Sequence, residues 1–166
     1  MYSLKPIHHD SVEHTLAKAE RYRLLNEPGE AESICLDILD IEPDNQAALV
    51  SLLLSRTDQI QTDSKKFQQA LETAERLASP YDRAYYAGIA WERRAKARFH
   101  AGGHSAPASV YEWIVRALRC FESAEELRPP GNDDAVLRWN TCVRFLQAHP
   151  ELRPHVEEAP EPVLSE

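Results

Sequence analysis

Apolar and polar residues alternate along this chain with the period of a helix, not of a strand. Ala31, Ile34, Cys35, Ile38 and Leu39 recur at i, i+3, i+4, i+7 and i+8, which lays them on one helical face. Ahead of them, Asn26-Glu27-Pro28-Gly29 predicts a turn. Proline presets one backbone angle there, and glycine supplies a conformation that a side chain opposes. Behind them, Pro43 disfavours helical geometry in Glu42 and ends the helix, and Asp44 or Asn45 is placed to cap the next one.

The same reading extends in both directions. A helix capped by Asp10 or Ser11 runs to about Leu25, with Val12, Leu16, Ala19, Tyr22 and Leu24 as its apolar residues. Residues 46–59 carry Leu49, Leu52 and Leu53, and a helix capped by Asp63 or Ser64 carries Phe67, Ala70, Leu71, Ala74 and Leu77 until Ser79-Pro80 ends it. A longer helix from Tyr81 to about His100 is followed by the loop Ala101-Gly102-Gly103-His104-Ser105, in which Ser105 is placed as a cap. The next helix runs to Leu127 and stops at Arg128-Pro129-Pro130-Gly131, and a last one starts at Asn132-Asp133-Asp134 with Ala135, Leu137, Trp139, Val143 and Leu146. No stretch alternates Val or Ile with polar residues over a strand's length, so the expected fold is all-α. Residues 1–9 read as a flexible lead-in, 10–148 as the helical domain, and 149–166 as an acidic, proline-containing tail. That tail buries too little apolar area to offset the entropy of ordering, so disorder is expected there.

Ala31, Cys35 and Pro43 followed by Asp44-Asn45, with Tyr22 in the preceding helix, resemble the small, large and helix-ending positions of a tetratricopeptide repeat (TPR). Leu49, Leu52, Leu53 and Arg56, then Ala70 and Ala74, resemble a second unit. Tyr85, Ala87, Gly88 and Trp91, then Ala117, Phe121, Ala124 and Pro129, resemble a third. Gly88 stands where the pattern brings a neighbouring helix close. The resemblance implies about three antiparallel helix pairs in a right-handed superhelix, closed by a C-terminal capping helix, with the first helix of each pair lining the concave side.

Composition narrows the function. A net charge of −8 argues against general nucleic-acid binding, which needs a basic face. No apolar run reaches the roughly 18–20 residues that cross a bilayer, and the N-terminus lacks a secretory pattern, so a cytoplasmic protein without membrane contact is expected. Cys35, Cys120 and Cys142 fall on apolar helical faces and read as buried free thiols. His8, His9 and His14, and His100 with His104, lack a metal-ligand spacing, and a histidine-dependent metal enzyme is the least favoured alternative. No nucleophile motif, phosphate loop or paired acid is legible, so neither enzymatic activity nor a cofactor is expected.

Binding is the better lead. The clamp positions of peptide-carboxylate-binding repeats map onto Leu16, Glu20, Val50, Ser51, Leu54, Tyr85, Tyr86 and Ile89, so the resemblance implies no carboxylate clamp. The mapped groove comprises Glu20, Arg23, Val50, Leu54, Tyr85, Glu92 and Arg93, an apolar centre with charged flanks suited to a peptide or helix segment. The expected role is that of an adaptor. The alternatives are a small acidic chaperone for secretion substrates or other unfolded clients, and a homodimer that buries the same patch. Arg93, Arg94, Lys96 and Arg98 form a basic stripe that could dock an acidic partner or the acidic tail. Trp91, Trp113 and Trp139 are expected to weld the third unit to the cap.

Overall fold

The structure is a computed structural model that describes residues 2–102 and 106–154. Among these residues there are seven α-helices and no strand. They are α1 (Val12–Leu24), α2 (Pro28–Ile41), α3 (Gln46–Asp58), α4 (Lys65–Glu75), α5 (Pro80–Ala101), α6 (Ala106–Glu126) and α7 (Asp134–Ala148), with short 3-10 turns at His9–Ser11 and Pro150–Leu152. The expected cap at Ser105 lies outside the described residues. No described helix is long and apolar enough to cross a membrane.

The helix ends follow from local chemistry. The Asn45 carboxamide accepts from the Ala48 amide at 2.9 Å and starts α3. The turn before α2 is made differently from the sequence expectation. Asn26, at φ 60°, takes the left-handed conformation, while Pro28 and Gly29 are already helical. The Asn26 amide donates to the Arg23 carbonyl and the Glu27 amide to the Tyr22 carbonyl, the paired bonds that close a helix C-terminus. Asparagine tolerates this conformation, and proline suits the first helical turn, where its missing N–H costs nothing. Ser79-Pro80 likewise opens α5 instead of ending α4: the Ser79 hydroxyl accepts from the Asp82 amide at 3.2 Å. The lead-in forms no helix before His9, yet Ile7 packs against the first core and the His9 ring lies 3.1 Å from the Glu42 carboxylate.

Short connections bring each helix back along the one before it. Each packs on its sequence neighbours, and α3 also touches α1 and α5, the nearest-neighbour pattern of helical repeats. Three larger cores result. Val12, Ala19, Cys35, Ile38, Leu49 and Leu52 fill the first, Leu53, Phe67, Ala70 and Ala90 the second, and Ile89, Val110, Ile114, Phe121, Cys142 and Leu152 the third. Tyr86 packs against each of the three larger ones. Burial, with Asp82 and neighbouring tyrosines adding to it, pushes the Tyr86 phenol up to about 12.

Two features hold the stack in register. A Cβ at Gly88 would lie 2.6 Å from the Phe121 ring, so α6 seats that ring directly on the α5 backbone. The close approach expected at Gly88 is thus made by a side chain. Further along, the buried Glu32 of α2 receives Arg56 at 3.0 Å and Gln59 at 2.8 Å from the α3 end, and Lys66 of α4 at 2.6 Å. Arg56 continues to the Thr73 hydroxyl at 2.7 Å and the Gln69 carbonyl at 3.1 Å, tying α2, α3 and α4 together. Burial works to raise the Glu32 pKa, but the hydrogen bonds from Lys66, Arg56 and Gln59 outweigh it and hold the carboxyl below its usual value.

Gly88→Ala should cost about 1–2 kcal/mol, because overpacking exceeds the gain of about 1 kcal/mol in helix propensity. Urea denaturation measures it, and the loss should shrink when Phe121 is also changed to Leu. Equal losses in both backgrounds would mean the ring is not the obstacle. Since the folded-state pKa of Glu32 lies below the unfolded one, its contribution is complete above the unfolded value, near 4.5, and disappears as pH falls through the folded one. Glu32→Gln should therefore cost about 3 kcal/mol at pH 7 and distinctly less at pH 3. A loss independent of pH would assign the effect to packing.

Candidate functional site

The seven groove residues expected from sequence lie on α1, α3 and α5, which run side by side through α3. The structure joins two of them through a third residue that the sequence reading did not select. Asp58, at the end of α3, accepts from Arg23 Nε of α1 at 3.1 Å and forms a second ion pair with Arg93 of α5. Arg93 also donates to the Thr57 hydroxyl at 2.8 Å. A shallow depression of about 230 Å3 opens here, with Asp58, Gln61, Arg93, Lys96 and His100 in its lining.

The other expected residues are spread along the same helices. Glu20 is exposed on α1. Val50 is half-buried against the first core, and Leu54 is half-buried where the second and third meet. Tyr85 is half-buried, stacked on Tyr81 with centroids 5.7 Å apart, and edge-on to Tyr86 at 5.1 Å. Glu92 is not on the open surface: it is 1% exposed, paired to Lys96 one turn on and 3.6 Å from Arg138 of α7. One helical step separates Glu92 from Arg93, and that step divides the packing of α5 on α7 from the open face. Burial disfavours the Arg138 cation, but the Glu92 charge and a hydrogen bond to Tyr85 outweigh it and push its pKa up.

The basic stripe is engaged within the molecule. Arg93 holds Asp58, Lys96 holds Glu92, and Arg98 donates to the Gly102 carbonyl at 3.0 Å. Arg94 stacks on aromatic rings. The tryptophans are half-buried, and Trp91 packs edge-on to Phe67 of α4 at 4.7 Å, so it joins the third helix pair to the second. Trp113 and Trp139 border the third core.

Chemistry that could act on a substrate is sparse among the described residues. No group of three or more His, Cys, Asp or Glu side chains gathers there as a metal site. Burial raises all three thiols, most strongly Cys142, pushed up to about 12 with the Glu92 charge contributing, so thiolate chemistry is suppressed. The site offers a surface of mixed polarity crossed by one ionic seam.

No known protein-family model, curated protein or solved structure matches the chain.

Asp58→Asn should cost about 1 kcal/mol, as for partly exposed ion pairs, and the cost should fall with added salt. Thermal denaturation at low and high ionic strength measures it. A salt-independent loss above about 3 kcal/mol would make the seam a packing element.

Proposed function

We propose that the chain is a non-catalytic protein–protein adaptor, built from the TPR-like pairs α1–α2, α3–α4 and α5–α6 in a right-handed superhelix with α7 as the cap. It holds a peptide or helix segment of a protein partner on the face shared by α1, α3 and α5. The observation that carries this reading is the contact of α3 with both α1 and α5, which makes the first helices of three successive pairs one continuous surface. Half-buried Val50, Leu54 and Tyr85 supply apolar footing, and Glu20 with the Arg23–Asp58–Arg93 seam supplies charge on both flanks. Three unpaired cysteines support work in a reducing compartment such as the cytoplasm.

A second reading, a chaperone for unfolded clients, is favoured by leucines left outward: Leu24 is 88% exposed, Leu25 62% and Leu137 61%. A test compares affinity capture by the wild type with that by Glu20→Lys/Arg93→Ser, both checked for helix content. Partners enriched by the wild type should fall at least about tenfold with the variant, a difference of about 1.4 kcal/mol. Equal enrichment removes the groove reading. Suppression of client aggregation that is indifferent to the variant supports the chaperone.

A further inference from the structure

Arg94 occupies an unusual position on α5. Its guanidinium carbon lies 4.1 Å from the centroid of the Phe67 ring of α4 and 4.0 Å from that of Trp113 of α6. Both rings are within cation–π distance of the guanidinium, an interaction that occupies none of its N–H donors as conventional hydrogen bonds would. Those donors meet no carboxylate and no hydrogen-bond acceptor among the described residues. Burial first, and the neighbouring Arg116 second, draw the Arg94 pKa below its ordinary value against a smaller opposing pull from the Glu112 charge. The nearby Glu112 is already held by Arg116 at 2.7 Å.

The same guanidinium lines a hollow of about 220 Å3 with Phe67, Trp113, Gln61, Ser64 and Arg98. The remaining lining is Ile60 and two alanines, so the hollow contains two arginines, a hydroxyl, an amide and no acid. On a chain of net charge −8, such a hollow selects an anion. A planar fork held between rings matches a carboxylate by two parallel hydrogen bonds.

We propose that Arg94 is a carboxylate-docking residue, and that its occupant is the glutamate-rich stretch 157–161 of this same chain. The described chain passes through Leu152, buried in the third core, to Pro154. It does so at the C-terminal end of α5, where the His149 ring lies 4.5 Å from that of Phe99, and Arg98 and Ala101 of the hollow belong to this end too. The twelve residues that follow, HVEEAPEPVLSE, include four glutamates and neither lysine nor arginine. Extended, they reach up to about 40 Å, several times the roughly 10 Å width of the helix to be crossed. Pro160 and Pro162 favour an extended backbone, and tethering raises the local carboxylate concentration to about the millimolar range, ahead of any dilute competitor.

The test uses the full chain and nitrogen-15 NMR. The amide shifts of Glu157, Glu158 and Glu161 should differ from those in the free peptide HVEEAPEPVLSE, and should return to the free values in Arg94→Lys and at high salt. Because Arg94→Lys alters a stacked side chain, a second variant, Glu157→Gln/Glu158→Gln/Glu161→Gln, leaves the helices untouched. It should shift the Arg94 Nε–H and Trp113 indole signals, and added wild-type peptide should restore them. Tail amides already at free-peptide values in the wild type, together with Arg94 and Trp113 signals blind to the glutamine variant, would overturn the proposal. If inorganic phosphate moves the Arg94 signal and the glutamine variant does not, the hollow takes free anions and the assigned occupant is wrong.

Discussion

The contact between the Phe121 ring and the backbone at Gly88 sets the spacing of the two longest helices, α5 and α6. Every other part of the C-terminal half is measured from that pair. Ile89, one residue from Gly88, shares a core with Val110, Ile114 and Ala117, which line up with Phe121 along α6. A wider separation would open voids around all of them, and interiors tolerate voids poorly because close packing supplies their dispersion energy. The helix α7 then covers what the pair leaves bare, with Cys142 and Leu146 inward and Arg138 drawn to the buried Glu92.

The polar groups divide the labour differently in the two halves. Glu32 gathers three donors from α3, its C-terminal turn and α4, so its burial is compensated and the carboxylate specifies how those elements meet. Glu92 is more deeply buried but less completely answered: its Oε2 has no hydrogen bond, only the Arg138 guanidinium at 3.6 Å. The Asp58 seam lies nearer to water, where screening leaves ion pairs with little net energy and more influence on geometry. The open face of α1, α3 and α5 is thus ordered by solvent-near charge, and the hidden interfaces by packing together with the buried carboxylates of Glu32 and Glu92.

Much of the architecture was legible because it is written locally. Asn45 caps α3 and Pro43 follows the end of α2, as side-chain and backbone chemistry within a few residues requires. Apolar periodicity placed Ala31, Cys35, Ile38, Leu49, Leu52, Ala117 and Phe121 in the interior. Ser79-Pro80 was harder, since proline both follows one helix and begins another, and only the length of α4 decides between the roles. Single-residue phase on long helices was harder still. A face drawn one position wide of the true one put Glu92 in the groove beside Arg93, although the two point to different neighbours. Asp58 and the Phe67–Arg94–Trp113 stack depend on residues distant in sequence, which spacing within one helix cannot bring together.

Helical arrays whose cores are separate often melt piecemeal, each unit opening at its own free energy. The Tyr86 ring, wedged where the three larger cores meet, works against that mode here. Loss of the first core at one end, or of the third at the other, uncovers part of the same ring, so damage at either end is felt in the middle. Amide protection against hydrogen exchange should then be shared across α3 and α5, with no graded decline along the stack, making this chain behave under load as one cooperative body.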